Sequence, residues 1–131
     1  MNYQCPACKI PAVEKQGKII CAKKHTYSIT NSIIKFVPDQ NTATWDHYWK
    51  RIPVYDDILD VLRKIMNVQL RRYLEKKIAP SSTTLEPGGG SAYVSAMLAE
   101  KGHQAYAMDY ASAPLRIARE QLNSQAILVQ G

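Results

Sequence analysis

The chain has 131 residues, of which 46% are hydrophobic, and it carries a formal net charge of +6 at pH 7. This length allows one ordinary domain, or a small module together with part of a larger one. No apolar run approaches the roughly 18 residues of a membrane span and the N-terminus lacks the apolar core of a signal peptide, so we expect a cytoplasmic location and no membrane partner.

The positive charge is concentrated in the first eighty residues. Residues 1–50 contain seven lysines and three acidic residues, residues 51–80 contain seven basic and four acidic residues, and residues 81–131 contain three and four. Such an excess attracts RNA or another anionic surface. Scattered lysines on a small domain are more often an ordinary solvated face, so the charge by itself does not identify a partner.

Two pairs of metal-binding residue types stand near the N-terminus. Cys5 and Cys8 form a C-x₂-C pair, and Cys21 and His25 form a second pair after a hairpin-like insert centred on residues 16–18. Three thiolates and one imidazole are a typical tetrahedral Zn²⁺ ligand set, and closed sites of this kind are structural. The alternative is three unpaired thiols with a surface histidine, which both spacings disfavour. A disulfide would leave one cysteine over and needs an oxidising compartment.

The run from Cys21 to Pro38 resembles the zinc ribbon that precedes many class I S-adenosylmethionine-dependent methyltransferases, including bacterial ribosomal-RNA guanine methyltransferases. A related ribbon occurs in small proteins that activate methyltransferase partners. The resemblance covers residues 3–38, and the four ligand positions are its specific part. A module of this size buries little apolar core. We therefore expect metal binding to contribute most of its folding free energy, on the order of 10 kcal/mol.

Residues 39–53 are predicted to link this ribbon, residues 1–38, to a second domain that begins at residue 54. The polar start of the linker is followed by Trp45, Tyr48 and Trp49 at helical spacing. These aromatic side chains suit either the lining of a pocket or the apolar side of a docking helix. Because the linker is polar, we expect loss of the metal to unfold the ribbon and leave the second domain largely intact.

An amphipathic helix is predicted from Val54 to Ile78, since its apolar residues recur mostly at steps of three and four. Its acidic residues lie near the start and its basic residues near the end, which matches the helix dipole. Pro80 ends this helix, and residues 81–83 lead into a strand.

The stretch from Thr84 to Ala92 consists of a short apolar run followed by a glycine-rich turn. A helical pattern over residues 91–101 follows the turn. Glycines are needed where the backbone approaches a ligand or takes a positive φ. The N-terminus of the following helix suits a nucleotide-like or carboxylate-bearing ligand. The dinucleotide pattern G-x-G-x-x-G, started at Gly88, would place its third glycine at Tyr93, which disfavours NAD.

A second strand is predicted at residues 105–108, and it ends at Asp109. This acid stands nineteen positions after Gly90 (109 − 90), close to the spacing of about 20 expected for a ribose-binding acid. A helix with Ser112 as its N-cap and a third strand at residues 125–129 complete the pattern.

Glu86, Gly88, Gly90 and Ala92 resemble motif I of the class I methyltransferases, acidic-x-G-x-G-x-G, with alanine in place of the last glycine. The resemblance implies an α/β fold, in which a small zinc ribbon precedes the first three strands of an incomplete Rossmann-like sheet in residues 54–131. It also implies two cofactors, Zn²⁺ and S-adenosylmethionine. The residues expected to bind S-adenosylmethionine are Glu86, Gly88, Gly90, Asp109 and Tyr110. No catalytic residue is nominated, because the family's catalytic residues cluster mostly on the fourth strand and beyond.

The resemblance also predicts a partner. The family's sheet has seven strands in the order 3-2-1-4-5-7-6, so the first strand would be an edge here, and an apolar edge strand invites pairing. We therefore expect the sheet to be completed by a second polypeptide in a heterodimer, by a second copy of the chain, or by a C-terminal half. The completed methyltransferase is expected to act on RNA or a small molecule. The alternative is a non-catalytic zinc-ribbon adaptor or activator of a partner methyltransferase.

Overall fold

The computed structural model of the chain describes residues 2–37, 43–51, 57–120 and 123–131. These residues form a mixed α/β fold with four helices and one eight-stranded sheet. The strands are β1 (Asn2–Gln4), β2 (Pro11–Lys15), β3 (Lys18–Cys21), β4 (Thr26–Thr30), β5 (Ile33–Lys35), β6 (Thr83–Pro87), β7 (Gln104–Asp109) and β8 (Ile127–Gln130). The helices are α1 (Ala43–Arg51), α2 (Asp57–Lys77), α3 (Tyr93–Glu100) and α4 (Ser112–Glu120). Among the described residues, none of these helices has the length and hydrophobicity that crossing a bilayer requires.

Strands β1 to β5 form an antiparallel meander in which each strand pairs with the next. Two of its connections are two-residue hairpin turns with positive φ at both positions. These are Gln16 and Gly17, at 52° and 71°, and Asn31 and Ser32, at 50° and 59°. Such turns match the right-handed twist of the strands that they join. The hairpin predicted around residues 16–18 is therefore present.

Strands β6, β7 and β8 are parallel and lie in the spatial order β8-β7-β6. Helix α3 connects β6 to β7 and packs on both, and α4 does the same for β7 and β8. The predicted strands and helices of this region are all present, with ends shifted by one or two residues. Helix α2 matches the predicted amphipathic helix, apart from residues 54–56, which lie outside the described residues.

The two parts of the chain are joined by parallel pairing of β5 with β8. Ile33 lies opposite Leu128 and Ile34 opposite Val129, so the ribbon strands and the parallel strands form one sheet. The paired residues stand ninety-five positions apart (128 − 33), and this contact was not predicted from the sequence. The proposed linker bounds fall partly outside the described residues and stay a prediction. We expected loss of the metal to unfold the ribbon and leave the second domain largely intact. That expectation does not fit a sheet that both parts share.

The paired strands contribute to two separate apolar clusters because successive side chains of a strand point to opposite faces. Ile33 and Leu128 belong to a buried cluster beneath α4. Ile34 and Val129 belong to a second cluster, which also contains cysteines of the ribbon. The ribbon therefore packs over the face of the parallel strands opposite α4.

Strand β6 lies at the end of the sheet, and within the described residues only β7 pairs with it. The side chain of Leu85 on this strand is 59% exposed. The glycine-turn strand is thus an edge strand in this structure, as the sequence analysis expected.

The guanidinium of Arg119 connects α4 to both halves of the sheet. It donates hydrogen bonds to the carbonyl oxygens of Ser124 at 2.6 Å, Ala126 at 3.0 Å and Ser32 at 3.5 Å. The first two acceptors precede β8, and the third lies in the turn before β5. This side chain therefore holds the two strands of the junction beside each other.

We expect Arg119→Met to lower the free energy of unfolding by about 1–3 kcal/mol, because the substitution leaves backbone acceptors without their charged donor. The matched control is Arg116→Met, at an exposed position of the same helix, which is expected to change it by no more than about 0.5 kcal/mol. Urea unfolding followed by circular dichroism measures both values. Equal midpoints for the two variants would contradict the role assigned to Arg119.

Candidate functional site

Two tight turns present the N-terminal cysteines and histidine. Lys9 and Lys24 each take a left-handed conformation, with φ of 61° and 64°. The Lys9 N–H donates to the Cys5 carbonyl, and the Lys24 N–H donates to the Cys21 carbonyl, both at 2.8 Å. Each turn therefore folds back on its own first ligand residue, and the pairing of β2 with β3 brings the two turns together.

The four predicted ligand residues, Cys5, Cys8, Cys21 and His25, form one cluster, with ligand atoms that all lie within 4.8 Å of one another. The Cys8 and Cys21 sulfurs are 3.7 Å apart, and His25 Nδ1 lies 3.4 Å from the Cys5 sulfur and 3.6 Å from that of Cys21. A tetrahedral zinc ion with bonds of about 2.3 Å to sulfur and 2.0 Å to nitrogen would separate its ligand atoms by about 3.5–3.8 Å. The cluster is therefore compatible with zinc binding.

Hydrogen bonds around Cys5 favour its thiolate form. Burial raises the pKa of Cys5, but hydrogen bonds from the Tyr27 hydroxyl, the Cys8 backbone N–H and the side chains of Cys8 and His25 outweigh it and lower that pKa to about 5. Burial, together with the neighbouring sulfurs of Cys5 and Cys21, raises the pKa of Cys8. Because a cysteine binds a metal ion as its thiolate, the lowered pKa of Cys5 favours binding of a cation.

A second candidate site is a cleft of about 680 Å³ at the carboxyl ends of the parallel strands. Ligands of open α/β sheets bind outside the carboxyl ends of their strands. The cleft is lined by Trp45, Tyr48, Trp49, Pro87, Gly88, Gly90, Met108, Asp109, Tyr110, Ala111 and Gly131. Four of the five residues predicted to bind S-adenosylmethionine therefore lie together, at Gly88, Gly90, Asp109 and Tyr110.

The glycine turn needs its glycines for two different reasons. Gly88 and Gly90 have positive φ, at 66° and 52°. A Cβ at Gly89 would lie 3.2 Å from the Glu86 carbonyl and 3.3 Å from the Ala107 Cβ, because this residue is packed between the two strands. The Gly89 N–H donates to the Met108 carbonyl at 3.0 Å, which holds the turn against the end of β7.

The carboxylate of Asp109 joins the two turns that border the cleft. One oxygen accepts the Gly90 N–H, and the other accepts the Ala111 N–H, each at 2.9 Å. An ionised carboxylate has about four acceptor positions, and these bonds use two of them. Asp109 therefore stabilises the cleft and retains acceptor capacity for a ligand hydroxyl.

Glu86, the fifth predicted residue, is not among the residues that line the cleft. Its carboxylate accepts the Ser95 N–H at 2.8 Å. Ala92 is the N-cap of α3 and provides no side-chain cap, so Glu86 caps the helix from the preceding strand. The only sequence signal for this role was an acidic residue shortly before a helix that lacks a polar N-cap.

Ala92 occupies the position where the resembled motif has its last glycine. Its φ of 56° and ψ of 35° are left-handed, a conformation that glycine adopts more readily than alanine. The alanine methyl is buried in the cluster beneath α4. Buried packing therefore compensates for backbone strain at this departure from the motif.

The aromatic residues of α1 line the cleft from the side of the glycine turn. The rings of Trp45 and Tyr48, and those of Tyr48 and Trp49, meet edge to face at 6.1 Å. A Cβ at Gly90 would lie 3.0 Å from the benzo ring of Trp49, so the indole rests directly on this glycine. Helix α1 also packs against α4. Pocket lining and docking, which the sequence analysis treated as alternatives, occur together.

Comparison with known proteins does not assign this chain to a family: no protein-family model matches it, and no curated protein matches it.

The ligand cluster generates a prediction about metal content. Protein purified without chelator is expected to contain about one equivalent of zinc by elemental analysis, and less than about half an equivalent would contradict the ligand assignment.

Cys8→Ser removes one ligand and is expected to weaken zinc binding. Since Cys5 and Cys21 share an apolar cluster with Val129, loss of zinc should also accelerate amide hydrogen exchange in β8. Unchanged exchange in β8 would show that the two parts unfold separately.

Glu86→Ala should lower the free energy of unfolding by roughly 1 kcal/mol, within the range of about 0.5–2 kcal/mol for loss of a helix cap. Glu100→Ala is the matched control, because Glu100 is an exposed acid at the other end of α3. Removing that acid relieves its repulsion with the helix dipole. Chemical denaturation distinguishes the two, and equal destabilisation would contradict the capping role of Glu86.

Proposed function

We propose that this chain is the S-adenosylmethionine-binding part of a methyltransferase and that its zinc ribbon is a structural module. The proposal is carried by one observation: Gly88, Gly90, Asp109 and Tyr110 meet in one cleft at the carboxyl ends of parallel strands. The strand order β8-β7-β6 equals the order 3-2-1 that the methyltransferase resemblance implies. The cleft volume also falls within the range of about 300–1,000 Å³ of small-molecule sites.

The chemistry of the cleft supports a nucleoside with a cationic group over a dinucleotide. Among the described residues, those that line the cleft include Asp109, with its carboxylate, and several aromatic residues, but no lysine, arginine or histidine. A pyrophosphate would meet no positive side chain among these described residues. A ribose offers hydroxyl donors to a carboxylate, and aromatic rings attract a positively charged group such as a sulfonium.

Methyl transfer depends mainly on in-line positioning of the acceptor and the methyl group. We assign cofactor binding to this chain and methyl transfer to an assembly in which the sheet is completed. The exposed edge strand β6, with Leu85 on its surface, supports such an assembly. We propose a second polypeptide as the partner, forming a heterodimer, and RNA or a small molecule as the methyl acceptor.

The cysteines support a cytoplasmic location for this assembly. All three are free of disulfide bonds, and thiols stay reduced in the cytosol. Zinc is the metal that we propose for them, since three thiolates and one imidazole are a typical ligand set for it.

A non-catalytic adaptor is the second candidate function, and one observation favours it. Glu86 and Asp109 both accept backbone hydrogen bonds that hold α3 and the two turns in place. A scaffold that binds no cofactor would therefore have structural reasons to keep both acids. Their presence supports the methyltransferase proposal less strongly than the sequence alone implied.

Isothermal titration calorimetry with S-adenosylmethionine and NAD tests the proposed ligand. We expect S-adenosylmethionine to bind the completed assembly, and to bind the isolated chain more weakly. Asp109→Asn should weaken binding about ten- to a hundredfold, equivalent to roughly 1.5–3 kcal/mol, because it removes a charged acceptor and places an amide NH₂ against one of the two backbone N–H groups that the carboxylate holds. Glu120→Gln, at an exposed acid of α4, is the control and should bind like the wild type. Preference for NAD, or no binding in either form, would contradict the proposal.

Native mass spectrometry of the particle purified from its source identifies the partner. A second polypeptide together with S-adenosylmethionine binding would support the split enzyme. A second polypeptide without cofactor binding would favour the adaptor. A mass of two copies would identify a homodimer instead.

A further inference from the structure

Tyr27 on β4 lies beside the metal cluster without being one of its four ligands. Its hydroxyl oxygen is 3.2 Å from the Cys5 sulfur, within hydrogen-bond distance of this atom. Cys5 is fully buried and Tyr27 is half-buried. The hydroxyl therefore points at a buried ligand atom.

The ring of Tyr27 is held by aromatic packing that fixes where its hydroxyl points. It meets the Phe36 ring edge to face at a centroid distance of 5.2 Å, and Phe36 meets Tyr3 in the same way at 6.1 Å. Phe36 in turn donates its backbone N–H to the Gln130 carbonyl at 2.9 Å. The hydroxyl is thus anchored to the junction of β5 and β8.

A hydroxyl at this position changes the properties of the thiolate. Hydrogen bonds to a charged acceptor are roughly twice as strong as those between neutral groups. Outer-shell donors orient metal ligands and tune their charge, and their loss typically costs ten- to a hundredfold in metal affinity.

We propose that Tyr27 is an outer-shell positioning residue of the metal centre, whose hydroxyl donates to the metal-bound Cys5 sulfur, fixes its orientation and withdraws part of its negative charge. This inference depends on the metal cluster and not on the methyltransferase proposal.

Tyr27→Phe tests the proposal, because it removes the hydroxyl and keeps the ring that packs on Phe36. Zinc affinity, measured by competition with a chromophoric chelator, is expected to fall about tenfold. In the Co²⁺-loaded protein the sulfur-to-cobalt charge-transfer band should move to longer wavelength, since a sulfur without this hydrogen bond releases electron density more easily. An unchanged band would overturn the proposal even if the affinity fell, because a merely structural role weakens binding without changing the sulfur.

Ile29→Val provides the matched control on the same strand. Ile29 packs against the same apolar cluster as Cys5, and its side chain has no hydrogen-bonding group. Its truncation should weaken zinc binding slightly through stability, because folding and metal binding are linked. The cobalt band of this variant should match the wild type. A shift as large as that of Tyr27→Phe would overturn the assignment of the band to the hydroxyl.

Nuclear magnetic resonance of the wild-type chain loaded with Cd²⁺ tests the same contact without any substitution. The Tyr27 hydroxyl proton is expected to exchange slowly and to show a nuclear Overhauser effect to the Cys5 β protons. A hydroxyl proton that exchanges as fast as that of Tyr73, whose side chain is exposed, would overturn the proposal.

Discussion

The parallel pairing of β5 with β8 is the contact on which the rest of this structure depends. It joins a meander of antiparallel strands to three parallel strands, and it places the paired residues alternately in the two apolar clusters. Without it, β8 would be an exposed edge, and the face of the parallel strands opposite α4 would lose its cover. The ribbon therefore has a structural role that extends beyond its own small core.

This contact connects the metal cluster to the cleft through continuous packing. Cys5 and Cys21 share a cluster with Val129, and the neighbouring Gln130 donates its side-chain amide to the Tyr110 carbonyl at 3.2 Å. The N–H of Gly131 also donates to the carbonyl of Asp109. A metal ion bound at the cluster would therefore support strands that border the cleft, since metal binding contributes on the order of 10 kcal/mol in small zinc modules.

The two acids at the glycine turn show how one residue type serves different purposes in neighbouring places. Glu86 faces α3 and caps it, whereas Asp109 borders the cleft and holds two turns together. Motif resemblance assigned both acids to a cofactor. Backbone N–H groups at a helix start and a tight turn need acceptors whether or not a ligand binds, so only the position in the cleft distinguishes a candidate binding acid from a structural one.

The sequence by itself determined the features that depend on short stretches of chain. These are the spacing of the four ligand residues, the glycine turn, the hairpin around residues 16–18, and the position of Asp109 at the end of a strand. Local backbone geometry controls each of them, so residue type and spacing were sufficient evidence. Only the tertiary structure decided the pairing of β5 with β8, the packing of Trp49 on Gly90 and the turn of Glu86 towards α3. These contacts depend on how separate elements pack against one another, and side-chain packing between them leaves no periodic signal in the sequence.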